Sequence, residues 1–95
     1  MRKYEVTYVL TPELEEEQVT EKTKGIKSVI ERFGGDPIEE DFWGKRRLAF
    51  EINYYQEGIY ALLTFHGDSH VISELERAIK MDDDFLRYLI VRVDE

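Results

Sequence analysis

"GKRRLAFEINYYQEGIYALLTFH", residues 44–66, holds two extended stretches separated by turn-forming residues. Pro37 to Ile52 reads as one long strand in which Ile38, Phe42, Leu48, Phe50 and Ile52 share even parity, with Trp43, Lys45, Arg47, Ala49 and Glu51 on the other. Even parity is expected to face the core. Gly44 in mid-strand signals a bulge, and a one-residue bulge would exchange the two faces beyond it. "NYYQEG", residues 53–58, is the turn into a further strand, "IYALLTFH", residues 59–66.

This hairpin is bracketed by helices. Upstream, Thr11 supplies an N-cap, Pro12 the first helical position, and a run of glutamates favours the positive end of the helix dipole. Val19, Ile26, Val29, Ile30 and Phe33 recur at helical spacing, Lys22, Lys24 and Lys27 form a solvated face, and Gly34 and Gly35 end the helix as left-handed caps. Downstream, Asp68 or Ser69 caps a second helix whose stripe is Val71 or Ile72, Leu75, Ala78 and Ile79. The first strand, "RKYEVTYVL", puts Tyr4, Val6, Tyr8 and Leu10 on one face. The last, "FLRYLIVRV", residues 85–93, is apolar on both: Leu86, Tyr88 and Ile90 on one, Phe85, Leu89 and Val91 on the other.

The order is βαββαβ, the ferredoxin-like arrangement of the α+β class, expected as a single domain over residues 1–95. Right-handed crossovers place both helices on one face of a four-stranded antiparallel sheet, with strands one and three central and two and four at the edges. The other face is left open. A strand apolar on both faces at the rim of so small a sheet suggests that something covers it.

Composition narrows the function classes. The chain has no cysteine, which removes disulfides, thiolate zinc sites and a cysteine nucleophile. "MRKYEVTYVL" is interrupted by Glu5 and followed by no small-residue cleavage site, so no signal peptide is expected, and no segment spans a membrane. No phosphate-binding glycine loop, GxSxG or HExxH is present, and no enzyme activity or cofactor is expected. The position where an acyl-phosphate-hydrolysing domain of this fold holds an anion reads "TPELEEE", which repels phosphate. His66 and His70 straddle a strand end and a helix start, and Asp82, Asp83 and Asp84 lack the alternation of a calcium loop; no metal is expected. Nor does the third strand carry stacking aromatics: Glu57, Ile59 and Ala61 occupy the slots where RNA-recognition motifs place a basic residue and aromatics.

Against a net charge of −8, with 21 acidic and 13 basic residues, Lys45, Arg46 and Arg47 stand out. They either block an edge strand from pairing or contact phosphate through a local patch, since adjacent arginines suit bidentate phosphate contact. Arg2 and Lys3 on the first strand and Arg87 and Arg92 on the last add basic groups to the same sheet. Trp43, Tyr60 and Leu62, with Leu89 and Val91 of the last strand, read either as ordinary small-domain packing or as a protein-binding face with aromatic anchors.

"MRKYEVTYVL", "WGKRRLAFEI", "GIYALLTF" and "DDFLRYLIVR", in this order and spacing, resemble the bacterial small-subunit ribosomal protein number six family over nearly the whole chain. The resemblance implies a cytoplasmic, non-enzymatic component of the small ribosomal subunit. It further implies binding to the central domain of small-subunit ribosomal RNA together with small-subunit ribosomal protein eighteen. By motif position Lys45, Arg46 and Arg47 lead the RNA-facing candidates, followed by Arg2 and Arg87; Arg92 joins them only as a further basic group on the same sheet. Some members carry a C-terminal tail, whose contacts are not expected from a chain stopping at Glu95. The competing reading from another class is a ferredoxin-like regulatory domain that pairs sheets with a second copy and binds a small ligand. It would use the same open face without needing the basic triplet.

Overall fold

The computed structural model describes residues 1–93. Its elements are β1 (Arg2–Leu10), α1 (Glu16–Arg32), β2 (Asp36–Ile52), β3 (Tyr55–Gly67), α2 (Ser69–Lys80) and β4 (Phe85–Arg92). The sheet order is β2-β3-β1-β4, every neighbouring pair antiparallel. This is the expected ferredoxin-like topology with β1 and β3 central.

The core lies between the sheet and the helices. Val6, Tyr8, Leu10, Ile59, Ala61, Leu63 and Phe65 meet Val19, Ile26 and Ile30 of α1 and Val71, Leu75 and Ile79 of α2 in one cluster. Each large apolar side chain fully buried there contributes roughly 1.5–3 kcal/mol. The Tyr8 hydroxyl, sunk beneath α1, bonds to Thr23 Oγ1 at 2.7 Å, so its polar tip is satisfied. Burial raises the Tyr8 pKa, the Thr23 bond partly opposing and nearby Glu40 reinforcing it.

Helix α1 begins later than its sequence suggests. Thr11 is committed elsewhere: it is buried, its N–H donates to Asp84 O at 2.9 Å, and its hydroxyl accepts from Glu13 N at 3.4 Å. Residues 12–15 therefore form a turn, and Glu15 becomes the N-cap, its N–H donating to Gln18 Oε1 at 2.9 Å. At the other end only Gly34 is left-handed, at φ 95°; Gly35 is required because a Cβ there would sit 2.7 Å from His66 O. Asp68 caps α2 by accepting from Val71 N at 3.0 Å.

The helix lysines are not simply a solvated face. Lys22 bridges Asp82 Oδ2 at 2.6 Å and Asp84 Oδ2 at 2.8 Å, fastening α1 to the α2–β4 connection, and these bonds hold its pKa up. Lys27 reaches Glu40 of β2 at 2.8 Å, whereas Lys24 makes only an exposed 3.8 Å pair with Glu21. The acidic run is an organised turn, with Asp84 N donating to Asp82 Oδ1 at 3.0 Å.

Strand β2 departs most from simple alternation. Phe42 pairs with Ala61 on the helix side, but Gly44 pairs with Tyr60 on the open side, leaving Trp43 as the extra residue of a bulge that Gly44 permits at φ 83°. Even parity thus moves from the helix side to the open side at this point. Leu48, the only one of the expected even-parity anchors that is buried, lies on the open face: a Cβ on Gly58 would meet Leu48 Cδ2 at 3.4 Å and Val9 Cγ1 at 2.3 Å. Phe50 is 66% and Ile38 46% exposed, and Ile52 is half-buried in the hairpin arm, so none anchors the main core. The last of three irregularities in β2, after those at Ile38 and Trp43, lets residues 48–51 face Gln56 alone, since Arg47 pairs with Glu57 and Ile52 with Tyr55.

The turn itself is only Asn53–Tyr54, at φ 50° and 70°, the two positive values that match a hairpin to strand twist. Tyr55 already belongs to β3, and its hydroxyl donates to Glu13 Oε1 at 2.6 Å, tying the hairpin to the β1–α1 turn. In β4, a register shift beside Leu10 turns Phe85 to the core, where its ring lies 5.5 Å from that of Tyr8, rather than to the face of Leu89 and Val91.

Candidate nucleic-acid and partner interface

The strand register maps the open face row by row. Asp41, Leu62, Thr7 and Leu89 lie across it from β2 to β4; the next row is Gly44, Tyr60, Val9 and Arg87; a third is Glu39, Thr64, Glu5 and Val91. Strands about 4.8 Å apart make each row about 14 Å wide. No helix among the described residues covers this side, and Leu89 and Val91 are 62% and 40% exposed.

Trp43 is fixed by three contacts rather than left to swing. Its ring stacks on Tyr60 at 6.5 Å between centroids and 16° between planes, its indole N–H donates to Asp41 Oδ2 at 2.9 Å, and Arg46 Cζ lies 6.0 Å above it. The Gly44 bulge aims this ring across the sheet, and 39% of the residue remains exposed. A rigid aromatic, partly uncovered beside apolar neighbours, has the character of an interface anchor.

The sheet divides the basic candidates into three groups. Arg46 and Arg87 share the open face, Arg46 above Trp43 and Arg87 with Cζ 5.8 Å over the Phe50 ring. Lys45 and Arg47 pair with Ile59 and Glu57 and so project from the opposite side of the same edge, both exposed. Among the described residues, the ion pairs involve Lys22, Lys24 and Lys27 and none of this triplet. Arg2 and Arg92 lie at the far end, paired with Gly67 and Tyr4. Gly67 is eight residues along β3 from Ile59, about 27 Å away. The six do not form one patch.

Two features escaped the sequence reading. Leu48, Val9 and Gly58 make a small second cluster on the open face, and Phe50 leans over Arg87 from the arch at 48–51. Gly58 inside a strand was the available signal, since a strand glycine marks close approach. His70 packs edge-on against Phe33 at 5.3 Å, and among the described residues no cluster of metal-ligating side chains occurs. No helix among them is long and apolar enough to cross a membrane.

The family described as ribosomal protein S6 matches residues 3–92. Small ribosomal subunit protein bS6 of Natranaerobius thermophilus is 65% identical over 95 residues, covering all of this chain and 99% of that one. Its counterpart in Desulforamulus reducens is 47% identical with both chains fully covered. The crystal structure of 30S ribosomal protein S6 from Thermotoga maritima superposes with a TM-score of 0.90 at 27% identity, over 96% of this chain and 86% of that one. On sequence and on fold, this chain belongs to the ribosomal protein S6 family.

Proposed function

We propose that this chain is a non-enzymatic structural component of the small ribosomal subunit, binding the central domain of small-subunit ribosomal RNA together with small-subunit ribosomal protein eighteen. It does so as one domain spanning residues 1–95. The observation that carries the reading is the division of the surface at Gly44: cations in no ion pair among the described residues on one side of the β2 edge, and an uncovered aromatic-apolar face on the other.

In this reading Lys45 and Arg47 contact phosphates, since they are exposed and face away from the apolar side. Trp43, Tyr60, Leu62, Leu89 and Val91 receive the protein partner, with Arg46 and Arg87 as its charged rim. Arg2 and Arg92 form a separate, distal contact. A body of net charge −8 is repelled by RNA at long range, so local cations alone bind weakly and a docked partner completes the surface.

Replacing Lys45 and Arg47 together by Ala tests the phosphate assignment. Each lost phosphate contact removes roughly 0.7–0.9 from the slope of log K against log salt, so the pair should flatten it by about 1.4–1.8. An unchanged slope and affinity would return both residues to the edge-blocking role.

A further inference from the structure

The two edges of the sheet are guarded unequally. β2 carries Pro37, bulges at Ile38, Trp43 and 48–51, and charged side chains at Glu39, Asp41, Lys45 and Arg47. Each of these keeps another strand from pairing. β4 carries Arg87 and Arg92 and an irregularity at Leu86, but between the two arginines Tyr88–Val91 have no charge, no proline, and unbroken register with Tyr8, Thr7, Val6 and Glu5. As the terminal strand it also turns one row of backbone N–H and C=O groups away from the sheet.

Alongside that edge runs a groove between β4 and α2, lined by Ile72, Ser73, Glu76, Tyr88 and Ile90. A bare strand edge next to a helix groove is the geometry that accepts an added strand, main chain pairing with main chain while alternate side chains enter the groove. The remaining alternate side chains would lie over Leu89 and Val91, continuous with the open face described above. On the groove wall the Tyr88 hydroxyl donates to Glu76 Oε2 at 2.9 Å, so an added strand would lie beside this bonded pair as well as over Ile72 and Ile90.

We infer that β4 accepts an extended, predominantly apolar segment of the protein partner as a fifth strand. This rests on the partner reading of the preceding subsection. Along β4, alternate amides already face β1 and the others point outward. Hydrogen exchange on the ¹⁵N-labelled chain, alone and saturated with protein eighteen, should slow the outward amides of Tyr88–Val91 by at least about tenfold, in an every-other-residue pattern. Ser73→Arg, an exposed helix position in the groove, should weaken the complex by about tenfold without lowering the melting temperature of the free chain.

If the complex forms but the outward amides exchange as before, or Ser73→Arg binds normally, strand addition is refuted and face docking stands. Concentration-dependent protection of the same amides in the chain alone would instead assign the edge to a second copy and overturn the inference. Absence of any complex with the wild-type chain would refute both the partner reading and the strand.

Discussion

Replacing Gly58 by Ala should destabilise the domain far more than one methyl group suggests. The added Cβ would lie 2.3 Å from Val9 Cγ1, with Leu10 O and Leu48 Cδ2 each at 3.4 Å. Ordinary carbon contacts are about 3.5–4.0 Å, so more than 1 Å must be found. Val9 cannot readily yield: it is β-branched, 4% exposed, and held between Tyr60 and Arg87 in the register. Overpacking of this kind costs about 1–3 kcal/mol. For a chain of this size each kcal/mol lowers the melting temperature by about 4–8 °C, so a fall of about 10 °C is the central expectation. Calorimetry of four proteins, wild type, Gly58→Ala, Val9→Ala and the double variant, measures it. The double variant should be more stable than the sum of the single losses by at least about 1 kcal/mol, because the new methyl occupies the space Val9 vacates. A neutral Gly58→Ala, or additive losses, would refute the close packing that lays residues 48–51 onto the open face.

Gly25 gives the opposite expectation: an added Cβ meets nothing within 4 Å, so Gly25→Ala should stabilise α1 by about 0.5–1 kcal/mol, read from urea midpoints. Lys22, Tyr8 and Tyr88 all have raised pKa values in the folded chain, Lys22 through Asp82 and Asp84, and both tyrosines first through burial. The native state therefore holds these protons more tightly; the stability they confer is complete below the ordinary values of 10.0 and 10.5 and is lost as pH rises beyond them. Unfolding midpoints at pH 8, 10 and 11.5 should decline over the last interval, and less steeply in Lys22→Met. Trp43→Ala should lower affinity for the protein partner by about 2 kcal/mol, as an anchor does.

Periodicity made the architecture legible because both helices and the two central strands obey it. Val6, Tyr8 and Leu10, or Leu63 and Phe65, sit where simple alternation puts them. β2 resisted because face assignment depends on counting, and each bulge changes the count; Gly44 announced one inversion, but nothing local announces the irregularity between Arg47 and Ile52. Thr11 misled for another reason: a good capping residue was taken by a distant partner, Asp84, which no local pattern reveals. The basic triplet was visible as composition, yet its division between two faces is a property of the bulge and needed the register. Lys22 and Lys27 were similarly readable as charges but not as tethers, since their carboxylates are 60 and 13 residues away.

Filter binding or calorimetric titration of central-domain RNA with this chain alone, with protein eighteen alone, and with both together measures the central claim most directly. The two proteins together should bind tightly and with a steep salt dependence, and this chain alone only weakly. Equally tight binding by this acidic chain on its own would contradict a surface completed by a partner.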